Sequence, residues 1–133
     1  MINTSLEKER LHELEHKYGV AALKLETAKE NGKAIAITLL EGVMQRTRTE
    51  YLGVKQKLET LEKANDLIAE LHDAYANLME MERSYYVNLF TDRQNEHYME
   101  GLAMSMSHTN EVIGNIKKEL EDLVGEHYDI LFE

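Results

Sequence analysis

Not one of the 133 residues is a proline. Proline is the most effective helix breaker, because it lacks the backbone N–H and its ring clashes with the preceding turn. A chain of this length without it faces little opposition to long helices. Its apolar residues also recur at the spacing that packed helices need. Leu11, Leu14, Tyr18, Ala21, Leu25 and Ala28 follow one another at steps of three and four, which is a heptad seam. Met99, Leu102, Met106, Thr109, Ile113, Ile116, Leu120, Leu123, His127 and Ile130 form the cleanest seam in the chain. The expected fold is all-α: a single domain over residues 1–133, built as an antiparallel helical bundle or coiled coil of three to four long helices.

Local signals place the boundaries. Thr4-Ser5-Leu6-Glu7 reads as a capping box and Asn31-Gly32 as a C-terminal stop, giving a first helix over 5–31. The stretch AIAITLL alternates Ile35, Ile37 and Leu39 in strand fashion. No second strand candidate exists to pair with it, and a lone strand would leave its backbone groups open. It reads instead as the buried start of a second helix, with Ile35, Leu39 and Val43 on one face. That seam continues through Tyr51, Val54, Leu58 and Leu61. At EKAND the periodicity stumbles. An unbroken helix over 34–89 would be roughly 85 Å long at ~1.5 Å per residue, so a turn at Asn65 and Asp66 is expected, dividing helices 34–63 and 66–90. The second of these carries Ile68, Leu71, Tyr75, Leu78, Tyr85 and Leu89. Thr91-Asp92-Arg93-Gln94 repeats the capping-box pattern and opens a fourth helix over 92–131. The polar patch SMSHTN predicts a kink near 105–109. Gly42 and Gly53, like Gly114 and Gly125, stand eleven apart on one helix face, where they are expected to admit a close neighbour.

Charge narrows the partners. Net charge is −10, and residues 65–133 hold four basic against fifteen acidic side chains. That distribution argues against binding a nucleic-acid backbone or an anionic membrane, both of which need a basic stripe. It favours a protein partner with a basic surface. There is no cysteine, hence no disulfide and no thiolate metal site. Residues 34–40, the longest apolar-leaning run, are too few to span a bilayer. The opening residues lack the apolar core of an export signal. The expected setting is the cytoplasm, of a cell or of one infected by a virus that encodes the chain.

One motif speaks for chemistry. His12-Glu13-Leu14-Glu15-His16 spells H-E-x-x-H, the zinc-binding helix of metalloproteases. Such a site needs both histidines in the cleft, the glutamate as base, a third ligand and an open position for water. At ~100° per residue, Leu11, Leu14 and Tyr18 centre on one side of the helix and the histidines roughly 150° away. His12 and His16 are therefore expected to face water; if any metal binds, they are its ligands. A zinc-dependent helical hydrolase built on His12, Glu13 and His16 is the alternative reading. Glu13 and His16 also spell Glu-x-x-His, the di-iron element of ferritin-like bundles, but the further copy, Glu9 and His12, lies on the same helix, and no second helix carries one to complete that site. His72, His97 and His108 lack triad partners in sequence, and His127 reads as a partly buried, hydrogen-bonded seam residue. Neither a G-x-S-x-G nucleophile elbow nor a phosphate-binding glycine loop is present. No cofactor and no catalytic set is expected.

A composition shift marks the remaining candidate. Residues 75–106 hold Met79, Met81, Met99, Met104 and Met106, together with Tyr75, Tyr85, Tyr86, Tyr98 and Phe90. Methionine adapts to irregular partners, and tyrosine combines apolar area with a polar tip. Many of these side chains fill the core at one end of the bundle. ERSYYVNLF holds too many large side chains in succession to bury all of them on one face, so Tyr85 or Tyr86 should be exposed or meet another chain. Tyr85, Tyr86, Tyr98 and Met99 are the expected partner-binding residues. The chain reads as a non-enzymatic interaction protein: a scaffold, adaptor or inhibitor, expected to be a homodimer because long heptad seams with small residues rarely finish their burial within one chain. One version is a virus-encoded inhibitor that imitates the charge of nucleic acid.

Overall fold

The computed structural model describes residues 1–91 and 95–131. The fold is all-α, with α1 over Ser5–Glu30, α2 over Ala34–Leu89 and α3 over Glu96–Leu131. The chain forms two compact units, Ile2–Glu62 and Lys63–Glu133 with Met1. The first half of α2 belongs to one unit and the second half to the other.

In unit 2–62, α1 packs against α2 as an antiparallel hairpin. The pairings show the direction: Glu7 meets Lys57 at 3.7 Å, Arg10 meets Glu50, and Glu15 accepts from the Tyr51 hydroxyl at 3.3 Å. The start of α1 thus lies beside residues 57–62 of α2, where Lys8 also meets Glu62 at 4.0 Å, its middle beside residues 50–51, and Leu25 beside residues 41–45. Leu14 is fully buried at the centre, flanked by Ala21, Ala28, Thr47, Thr60 and Leu61. The α1 seam is thus as expected, except that Tyr18 sits on the rim, more than a third exposed. The buried threonines cost little, because Thr47 and Thr60 donate their hydroxyls to the carbonyls of Val43 and Gln56 one turn back.

The connection between α1 and α2 is the stop that Asn31-Gly32 predicts. Gly32 has φ +63°, Gly32 N–H donates to the Lys29 carbonyl, and Lys33 N–H donates to the Ala28 carbonyl. These two bonds are a Schellman motif, which satisfies carbonyls the helix leaves open. The capping box at the other end of α1 does not form. Thr4 makes no side-chain cap; Asn3 Oδ1 accepts from Ser5 N–H at 3.0 Å instead. Glu7, which was to reach back, is drawn to Lys57 of α2.

Three expectations are corrected, two of them about α2 alone. No turn occurs at Asn65 and Asp66; the helix runs on, with Asn65 half-buried within it. What the sequence registers there is a change in the buried stripe. Up to Leu61 the stripe steps alternately by four and three: Leu40, Met44, Thr47, Tyr51, Val54, Leu58, Leu61. Then come consecutive steps of three to Ala64 and Leu67, before the alternation resumes at Leu71, Ala74 and Leu78. A helix tolerates such an offset without a break. The second correction concerns Ile35 and Leu39, which are 80% and 66% exposed. The stripe, traced back from Thr47, passes through Leu40 and Ala36, one residue away. The third concerns the glycines. A Cβ at Gly53, Gly114 or Gly125 would meet nothing within 4 Å, and one at Gly42 only the Arg46 guanidinium, so they mark no close helix approach.

In unit 63–133, the second half of α2 and α3 pair antiparallel: Thr109 lies 3.8 Å from the Met81 sulfur, and the Lys117 ammonium lies 5.3 Å over the Tyr75 ring. The core is Ala64, Leu67, Ala74, Leu78, Ile113, Ile116 and Leu123. Every residue of the α3 seam from Met99 to Ile130 is buried or half-buried. Asn95 caps α3 by accepting the Tyr98 N–H at 3.1 Å. The second expected capping box falls on residues 92–94, which lie outside the described residues. The break expected near 105–109 is absent: α3 runs through these residues with helical backbone angles, the Thr109 hydroxyl donating to the Ser105 carbonyl at 2.9 Å as helical Ser and Thr commonly do. The helix departs from regular geometry at His127 instead (φ −124°, ψ 25°).

Candidate functional site

The Tyr/Met end of unit 63–133 is built by the last turns of α2 and the first turns of α3. Tyr85 is half-buried and stands edge-on to Tyr86, with ring centroids 5.8 Å apart and planes at 85°. Tyr86 is 55% exposed, so of the two tyrosines it is Tyr86 that faces out. Tyr85 and Met99 come together across the hairpin, lining a hollow of about 290 Å³ with Glu96, Glu100 and Ala103. Tyr98 is exposed on α3 beside Met99 but does not line that hollow. The methionines divide in the same way: Met81, Met99 and Met106 are half-buried, while Met79 and Met104 point outward. Val87 and Phe90 add exposed apolar surface to the last turn of α2 and the residue beyond it.

Two carboxylates of this site were not singled out from the sequence. Glu96 and Glu100 are four apart, with Met99 and Ala103 between and beyond them, and that helical spacing is the signal that could have found them. They set negative charge beside an aromatic and thioether surface. The wider field agrees: residues 2–62 hold ten basic and ten acidic side chains, and residues 63–133 hold five and fifteen. The whole net charge of the protein is therefore carried by the unit that carries the aromatic end.

The H-E-x-x-H stretch lies on the wet face of α1, as its helical phase predicts. The His12 side chain is 90% exposed, 3.6 Å from a Glu15 oxygen. Glu13 accepts from Arg10 at 3.0 Å. Arg10 also donates to Glu50 of α2, and these bonds, Glu50's first, raise the guanidinium's pKa above its already high ordinary value. His16 is exposed beside a shallow hollow with Val20, Lys24, Leu40 and Val43. Among the described residues no three His, Cys, Asp or Glu side chains stand together as a metal site. His127 is half-buried, with Glu126 at 3.9 Å.

A second feature, unmarked in the sequence, lies in unit 2–62. Leu14, Tyr18, Thr47, Tyr51 and Leu52 line an almost wholly apolar hollow of about 320 Å³, with Glu15 and Arg48 at its edge. No described helix is long and apolar enough to cross a membrane. Comparison with protein-family models, curated proteins and solved structures finds no match for the chain.

Proposed function

We propose that the chain is a non-enzymatic protein-interaction module, a scaffold, adaptor or inhibitor that acts by occupying a partner with a basic surface. The observation that carries this reading is the coincidence, in residues 63–133, of the entire net charge with an exposed aromatic end. Charge steers encounter over a distance, while buried aromatic anchors hold the complex once formed. Tyr86 and Tyr98 are the exposed anchors; Tyr85 and Met99 shape the hollow between Glu96 and Glu100. The chain works as a homodimer, and its cysteine-free composition suits a reducing compartment such as the cytoplasm.

The test is capture from an extract of the native host with the intact chain as bait. The expected result is a discrete partner whose recovery falls at least about tenfold with Tyr86→Ala and with Met99→Ala, and falls again as salt is raised. Circular dichroism confirms that both variants keep their helices. Capture undiminished by either substitution, or indifferent to salt, overturns the reading.

A further inference from the structure

We propose that the groove between α1 and α2 in unit 2–62 is where a second copy of the chain docks, with the two α2 helices antiparallel across a two-fold axis. This rests on the reading of the chain as a homodimer and names the surface that makes it. The hollow over Leu14 adjoins another of about 580 Å³, lined by Leu25, Glu41, Met44 and Gln45 as well as by Tyr18, Arg48 and Leu52, which the two share. They form a continuous strip along both helices, almost wholly apolar over the first hollow and mixed over the second, where Glu41, Gln45, Arg48 and Thr49 add polar surface. Leu52, at 53% exposure, and Tyr18, at 39%, stand open on it.

Charge selects the occupant. Two surfaces of unit 63–133 would each bring an excess of ten negative charges, whereas unit 2–62 is balanced. A C2 interface is self-complementary, so each residue must find its mate on the same surface of the other copy. Glu41 and Arg48 meet that condition. Both lie on the edge of the strip, both are exposed, and neither has an ion-pair partner among the described residues. They are seven residues apart, which places them on one helix face. When two identical helices run antiparallel about an axis midway between them, Glu41 of each copy meets Arg48 of the other, twice over. Met44 and Gln45 then lie at the axis, where methionine's flexible thioether suits a contact with its own symmetry mate.

Sedimentation velocity on the full chain tests this with three variants, all at exposed positions. The intact chain is expected to be a dimer. Arg48→Glu, which sets glutamate against glutamate twice, and Leu52→Glu are each expected to raise the dimer dissociation constant at least about tenfold. The double variant Glu41→Arg/Arg48→Glu restores the pairing reversed and regains the dimer. A monomeric intact chain overturns both the homodimer reading and this surface. A dimer indifferent to Arg48→Glu and Leu52→Glu overturns the surface alone. A folded double variant that stays monomeric overturns the antiparallel pairing.

Discussion

Glycine shows most plainly how position decides what a residue does. Gly32 occupies the left-handed region that ends α1. A side chain there costs roughly 1–2 kcal/mol, so Gly32→Ala should lower the unfolding free energy by about that amount in urea titration. Gly53 and Gly114 lie inside helices with open space where a Cβ would go. There alanine restricts only the unfolded chain and improves helix propensity, so Gly53→Ala and Gly114→Ala should each stabilise by about 0.5–1 kcal/mol. Opposite signs from the same substitution are the prediction, and equal signs would contradict the backbone geometry. Glu7 makes a related point. One of its carboxylate oxygens is buried without a hydrogen-bond partner, and the other relies on Lys57. Lys57→Met should therefore destabilise by about 1–2 kcal/mol, the cost of a partly buried carboxylate left alone and reduced by residual solvent. Adding Glu7→Gln should recover part of that loss.

Among the elements, α2 departs most from its reading in sequence. Its 56 residues hold one helix through a register shift that reads as a boundary. Periodicity reports which face is buried, and a face can change partner without the backbone stopping. The shift also predicts which leucines matter. Leu61 is 2% exposed at the end of the first stripe, whereas Leu39 is 66% exposed beside it. Leu61→Ala should cost about 2–5 kcal/mol as a core truncation, and Leu39→Ala less than about 0.5 kcal/mol. Thermal unfolding followed by circular dichroism measures both. A large loss from Leu39→Ala would mean that the face bearing Ile35 and Leu39 is covered in solution.

For the whole molecule, the division of charge separates two kinds of association. Capture of a basic partner by residues 63–133 is attraction between opposite fields and should weaken strongly between about 50 and 500 mM salt, as the Debye length contracts from over 10 Å to a few Å. Self-association through the balanced unit 2–62 should change much less over that range, because screening weakens the Glu41–Arg48 pairs while relieving repulsion between two chains of net charge −10. Measuring both dissociation constants across one salt series checks this. Parallel slopes would place both contacts on the acidic unit. Tyr86→Ala should likewise leave self-association unchanged.

What the sequence determined by itself was helicity and sidedness. The missing proline, the α1 and α3 seams, the Asn31-Gly32 stop and the outward phase of His12 and His16 are local or periodic facts, set by backbone sterics and 3.6-residue geometry. The tertiary structure decided whatever depends on who stands opposite. It drew Glu7 away from its cap to Lys57, carried α2 through Asn65 without a turn, and left Ile35 and Leu39 outside the stripe. It also brought Tyr85 against Met99 and opened the strip between Glu41 and Arg48. Those outcomes turn on contacts between residues distant in sequence, and heptad spacing alone does not say which of two neighbouring stripes another helix will cover.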